Sequence, residues 1–252
     1  MIITLSPTKI MSFGQQPDLK FTEPIFKRER DEIIALLRNL SVDEIKKLMS
    51  INQEQADAVL PQIHQFGKKN GLVSASAFAY NGIAFKGLDF PTLSPENMVY
   101  AQQHLLIESA IYGFLRPLDK VYPYRLEMQA KLKNSKGKTL YNYWQETLTN
   151  YLSKRLSQDD KIWLNLSSEE YAKVINSKVL PSKSRIITPQ FKEESANGYR
   201  QVVVHTKKAR GMMARFVIEN KIRNIEDLKA FDTEGYCYAE HLSSESEPMF
   251  IR

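Results

Sequence analysis

The chain has 252 residues, 42% apolar and 25% charged, with one cysteine and a formal net charge of +6. At this length roughly 70–75% of the unfolded surface can be buried, so the core needs no disulfide or metal staple. Cys237 has no second cysteine to pair with, and no apolar run approaches the roughly 18 residues of a membrane helix, so a disulfide scaffold and a spanning protein are excluded along with a repeat array.

Ile2 to Leu5 reads as a short buried strand that the turn-prone Ser6-Pro7-Thr8-Lys9 ends. The start carries neither the charged nor the apolar stretch of a secretory leader, so a cytoplasmic protein is expected. Residues 10–26, with Pro17 and Pro24, show little period. From Phe26 the spacing of Ile33, Ile34, Leu37 and Leu40 predicts a helix. Ser41 with Glu44 is a capping box for a second helix over Val42 to Met49, and a third is predicted from about Gln53 to Phe66, kinked or split at Pro61.

Ile83 to Phe85 is a possible strand. Ser94-Pro95 opens a helix expected to reach Tyr112 and stop at Gly113. Leu115 to Met128 is loop-like, Thr139 to Leu156 reads as a helix, and Ile162 to Leu166 as a strand followed by a capping box, Ser167 with Glu170. Val202 to Val204 is predicted as a strand, with Thr206 capping the next helix. Strands alternating with helices predict an α/β (α+β) fold, and without a linker-like segment the chain reads as a single domain over 1–252 with a helical insertion near 26–70.

The charge is unevenly placed. Residues 200–223 hold seven basic groups against Glu219 alone, so this segment nets +6 and the rest of the chain is neutral on balance. Residues 115–138 hold seven more against Asp119 and Glu127, while 224–252 is acidic. Two basic centres on a neutral background point to an anionic partner. Lys207, Lys208 and Arg210 would occupy the first turn of the helix after Thr206, where the macrodipole opposes cations and exposed amides favour an anion. Gly211 would let a ligand or another backbone approach closely. Arg116 and Arg125 lie in a loop stiffened by Pro117 and Pro123. They suit phosphate recognition, and equally structural pairs with Asp119 and Glu127.

Metal and nucleophilic chemistry find no support. His104 and Glu108 at i, i+4, and Cys237 with Glu240 and His241, match no recognised ligand spacing, so no metal or cofactor is expected. No phosphate-cradling glycine loop and no nucleophile elbow is present. In Leu48 to Ala56 the order helix, Ser50-Ile51-Asn52, helix resembles a helix-hairpin-helix element, with Ser50 and Asn52 standing where glycines usually flank the apolar residue. Ile51 and Ala56 would equally serve to pack the two helices together.

Taken together, several runs resemble the YaaA family of peroxide stress resistance proteins. They include Leu5-Ser6-Pro7-Thr8-Lys9, Ala84-Phe85-Lys86-Gly87, Tyr112 to Asp119, Pro123 to Met128, Leu140 to Trp144, Lys207 to Met212 and Glu234-Gly235-Tyr236. Thr8 departs from the family's usual Ala, and Leu88 follows the Lys-Gly pair where an acidic residue is common. The resemblance implies a cytoplasmic protein that helps cells withstand hydrogen peroxide by limiting free iron and the DNA damage it promotes. It also implies a mixed sheet flanked by helices, a helix-hairpin-helix-like element, a basic cleft and DNA binding. The basic groups in the family's motifs are Lys9, Lys86, Arg116, Arg125, Lys207, Lys208, Arg210 and Arg215.

The first reading is therefore a DNA-binding protein contacting mainly the phosphate backbone with little sequence preference, away from membranes and monomeric. The second is an enzyme acting on a nucleotide or another small phosphate-bearing ligand, with Lys9, Lys86, Arg125, Glu127 and Lys208 as candidates, Glu127 as general base and the cations, Lys208 among them, orienting the phosphate or stabilising charge. Direct iron sequestration, the third, lacks a ligand cluster.

Overall fold

The computed structural model describes residues 1–14, 20–196 and 198–252, so the expectation for Pro17 lies outside the described residues. Strand β1 (Ile2–Leu5) is buried along its whole length. Helices α1 (Lys27–Arg38), α2 (Val42–Met49) and α3 (Gln53–Gln65) follow, then β2 (Ser74–Ala75), α4 (Ser76–Ala79) and α5 (Ile83–Leu88). Next come α6 (Pro95–His104), β3 (Leu105–Ser109), β4 (Gly113–Leu115), β5 (Lys120–Val121) and α7 (Leu140–Ser157). The last part holds β6 (Ile162–Leu166), α8 (Glu169–Ala172), β7 (Arg185–Ile187), β8 (Gln190–Ser195), β9 (Gly198–Arg200), α9 (Val203–Asn220), β10 (Cys237–Tyr238) and β11 (Met249–Ile251).

The main sheet is mixed, in the order β4-β3-β1-β6-β7. β1 runs parallel to β3 on one side and to β6 on the other, β7 is parallel to β6, and β4 is antiparallel to β3. A strand hydrogen-bonded on both edges and covered on both faces has no solvated side, which is why Ile2-Ile3-Thr4-Leu5 is apolar almost throughout. The chain leaves β1 toward β3 and later crosses to β6 on β1's other edge, so the order reverses at β1. A second mixed sheet, β10-β11-β8-β9, and the pair β2-β5 complete the strands.

Local signals held where the chain supplied its own partners. Both halves of the Ser41–Glu44 capping box form, and Thr139 caps α7 through Asn142. Ile33, Ile34 and Leu37 are the buried stripe of α1. α3 runs unbroken through Pro61, so the proline neither splits nor ends it.

Four expectations are corrected. The helix from Pro95 ends at His104, and the apolar run beyond it is strand β3, because Leu105, Leu106 and Ile107 pair with β1. This also removes the i, i+4 premise for His104 and Glu108. Ile83 to Phe85 belongs to helix α5. Val203 and Val204 open α9 instead of ending a strand, and Thr206 is no cap: it sits in the first turn with its hydroxyl donating to the Phe191 carbonyl. Ser168, not Ser167, precedes α8 and makes no side-chain cap; Ser167 instead donates to Thr4 at 3.0 Å, tying β6 to β1.

α9 crosses α5 at glycines on both helices. A Cβ on Gly211 would overlap the Ala84 carbonyl oxygen and lie 2.8 Å from Leu88 N, and one on Gly87 would overlap the Lys208 carbonyl. The close approach expected at Gly211 is thus that of another helix. It draws α9 down onto the side of β1 and β6 and fixes where the basic side chains of 207–215 emerge.

Candidate functional site

A cleft of about 620 Å³ opens where the main sheet's strands end. Its floor is Leu5 at the end of β1 and Leu166 at the end of β6, and its walls are the segments that leave those strands, 6–10 and 168–171, with the start of α5, the loop 124–127 and one face of α9. Open α/β sheets bind ligands outside the carboxyl ends of their strands, at the point where strand order reverses. β1 lies at that point here. Hydrogen bonds hold the two strand exits in register: Ser168 N donates to Ser6 Oγ at 2.8 Å, and Ser6 Oγ donates to Ser168 Oγ at 3.2 Å.

The structure gathers Lys9, Arg125, Lys207 and Arg210 in this cleft, four of the eight basic residues picked out in the sequence. Lys9 Nζ stands 2.7 Å from Glu127 Oε1, an ion pair across the mouth. Arg125 and Arg210 differ from it in kind. Arg125 Nε is buried with no hydrogen-bond partner, and Arg210 has neither a hydrogen bond nor an ion pair among the described residues. Burial pulls Arg210 below its ordinary value, with no counter-charge to offset it. Leaving the buried Arg125 Nε unsatisfied costs roughly 1–3 kcal/mol, which an anion in the cleft would recover.

Acidic and aromatic residues share the lining with these cations, so the cleft is mixed in charge. Glu127, Glu169 and Glu170 line it. Burial and then the neighbouring Glu127 push the Glu170 carboxyl above its usual range, while its Oε1 accepts a hydrogen bond from Gln129 N at 3.3 Å. Tyr171, 6% exposed, lines the cleft, and its hydroxyl has no hydrogen-bond partner among the described residues. The Tyr124 hydroxyl is held at 2.7 Å from Ser109 Oγ and 2.6 Å from Tyr80 Oη, and burial pushes it up to about 12. Outside the lining, Glu108 is fully buried, neither carboxyl oxygen has a hydrogen-bond partner among the described residues, and burial pushes the group up to about 8.

The other basic candidates stand elsewhere. Lys86, Lys208 and Arg215 line a separate groove of about 320 Å³ across the α5–α9 crossing. Two of them are already paired there. Lys208 meets Glu234, and Arg215 meets Glu219 at 2.7 Å and donates to the Asp89 carbonyl at 2.9 Å. Glu127 and Lys208, paired in the catalytic expectation, therefore line different cavities. With α9 beginning at Val203, Lys207, Lys208 and Arg210 lie beyond its first turn, where the macrodipole's effect has faded.

Arg116 locks its own loop. Buried Asp119 accepts from Arg116 N at 2.8 Å, from its guanidinium at 2.8 Å and from Thr22 Oγ1 at 2.6 Å, and the same guanidinium donates to the Glu23 carbonyl. Arg116→Ala is expected to destabilise the chain by about 2 kcal/mol in chemical denaturation, since it strips a buried carboxylate of its main partner. A change below roughly 0.5 kcal/mol would contradict this role.

In the turn between α2 and α3, Ser50 adopts the left-handed conformation, φ 52°, where a glycine is usual. The amides of Ser50 and Ile51 donate to the Lys46 carbonyl, and that of Asn52 to Gln55 Oε1. These three amides are thus engaged within the hairpin, Ile51 is buried, and none of the three residues lines the cleft. Among the described residues no group of three His, Cys, Asp or Glu side chains is placed to hold a metal ion, and no helix is long and apolar enough to cross a membrane.

Glu170, Tyr124 and Tyr171 are not picked out as site residues in the sequence, and Glu108 is weighed there only as a metal ligand beside His104. A signal for two of them was present: Ser168-Glu169-Glu170-Tyr171 leaves a buried strand just as Ser6-Pro7-Thr8-Lys9 does.

The chain is similar over its whole length to known proteins. It is 40% identical to a UPF0246 protein of Francisella tularensis subsp. novicida and 40% identical to one of Francisella philomiragia subsp. philomiragia, each alignment covering the whole of both chains. The family model described as peroxide stress protein YaaA matches residues 1–242, which include both strand exits, the 124–127 loop and α9. The chain belongs to the YaaA family of peroxide stress proteins.

Proposed function

We propose that the protein serves peroxide-stress defence by binding DNA through the phosphates it holds in this cleft, and so limits iron-dependent damage to DNA. The observation that carries this reading is the pair of guanidiniums, Arg125 and Arg210, held in a preformed cleft without a counter-charge. Guanidinium is the side chain best matched to phosphate geometry. Lys207 is exposed at the mouth with no ion pair among the described residues, and extends the positive surface outward. Contacts of this kind carry little sequence information, so the binding is nonspecific.

Fluorescence-anisotropy titration of a short duplex tests the reading. Arg125→Gln with Arg210→Gln is expected to weaken binding roughly tenfold or more, as loss of charge-assisted hydrogen bonds does. Lys208→Gln with Arg215→Gln, which alters groups already paired with carboxylates, is expected to change it by less than about threefold. The reverse ranking would move the DNA contact to the α5–α9 groove and overturn the assignment.

A further inference from the structure

We propose that the cleft is a pocket for a single nucleotide bearing a phosphomonoester: the 5′-phosphorylated end of a DNA strand, or a free mononucleotide with the same group. The inference rests on the anion-binding reading above and narrows it.

Size comes first. A cavity of about 620 Å³ is in the range of small-molecule sites, roughly 300–1,000 Å³, and too small to enclose a duplex. It is closed below by the ends of β1 and β6 and walled by five chain segments.

Charge then distinguishes the kind of phosphate. The lining carries four cations, Lys9, Arg125, Lys207 and Arg210, against three carboxylates. Lys9 and Glu127 offset each other as an ion pair, while Arg125 and Arg210 have no ion pair among the described residues, so two guanidiniums stand open to an anion. An internal phosphodiester offers about one negative charge, whereas a phosphomonoester carries about −1.5 to −2 at neutral pH. The cleft is therefore complementary to the monoester.

The remaining lining suits the rest of a nucleotide. Leu5, Ile83, Leu126 and Leu166 supply apolar surface for a flat heterocycle. The Tyr171 hydroxyl and the Glu170 carboxyl offer hydrogen bonds to ring or sugar atoms, and neither is needed to hold a phosphate.

The test compares three fluorescent DNAs of one sequence: a hairpin duplex with a 5′-phosphate, the same hairpin with a 5′-hydroxyl, and a closed dumbbell with no end. Free deoxyadenosine monophosphate serves as competitor, and thermal melts confirm that each variant is folded. The 5′-phosphorylated hairpin is expected to bind about tenfold more tightly than the other two, the gain of about one charge-assisted contact pair, and the mononucleotide to compete for it. Arg125→Gln and Arg210→Gln should erase the preference, while Glu170→Gln, which replaces a carboxyl by a neutral amide of the same shape, should keep or enlarge it. Equal affinity for all three DNAs, with no competition by the mononucleotide, would overturn the pocket and leave the DNA reading standing. If no DNA binds, yet the mononucleotide raises the melting temperature of the wild type and not of the arginine variants, the DNA reading fails and the pocket stands. If neither DNA nor mononucleotide binds, both fail.

Discussion

Gly211→Ala is expected to destabilise the protein by about 3 kcal/mol or more and to lower its Tm by roughly 6–12 °C. The sign is diagnostic. In a helix interior the same substitution ordinarily stabilises by about 1 kcal/mol, because alanine has the higher helix propensity. Here the new methyl would overlap the Ala84 carbonyl oxygen and crowd Leu88 N at 2.8 Å, both backbone atoms of α5 that no rotamer change can move. The two helices would have to separate. α9 also carries Lys207 and Arg210 into the cleft, so a displaced α9 should weaken DNA binding even in the folded fraction. A Tm at or above that of the wild type, measured by calorimetry, would show that the crossing has room for a side chain.

The second large effect belongs to Glu108. Burial raises its carboxyl from about 4.5 to about 8, and neither oxygen has a hydrogen-bond partner among the described residues. The folded chain therefore keeps a proton that the unfolded chain releases near pH 4.5. A group raised in this way contributes stability that is fully present below about pH 4.5 and is lost as pH rises through about 8. The loss across that window is on the order of 3–5 kcal/mol. Glu108→Gln, neutral at every pH, removes this term. Urea unfolding at a series of pH values from 5 to 9 is expected to show the variant overtaking the wild type as pH rises. Parallel curves for the two proteins would mean that Glu108 does not titrate in this range.

What the sequence disclosed follows from how far each element's partners lie along the chain. β1 and α2 were legible because a four-residue apolar run and the Ser41–Glu44 pair carry their own instructions within a few residues. β3 was not, because Leu105 to Ile107 continue an apolar run that a helix could use as well. Their pairing with Ile3 to Leu5, about a hundred residues earlier, decides the matter. The opening of α9 was hidden by the β-branched Val202-Val203-Val204, whose strand preference is outweighed once Thr206 anchors that turn to Phe191.

The candidate site divides in the same way. Positive charge is visible in sequence, so Lys9, Arg125, Lys207 and Arg210 could be named. Whether a cation is free or already paired depends on residues far away. Nothing near Lys208 in sequence announces Glu234, and nothing near Arg215 announces the Asp89 carbonyl. Arg116 was the exception, since Asp119 lies three residues on. Glu170 was missed because it is an ordinary carboxylate until the fold partly buries it.

The assignment of the cleft as the phosphate-binding surface is tested most directly by the salt dependence of duplex binding. Log Kd measured against log salt should give a steep line for the wild type. The slope should be shallower by about 0.9 for each arginine removed, hence by roughly 2 in Arg125→Gln with Arg210→Gln. An unchanged slope in that double variant, together with a reduced slope in Lys86→Gln with Lys208→Gln, would contradict the assignment and place the phosphates in the groove across α5 and α9.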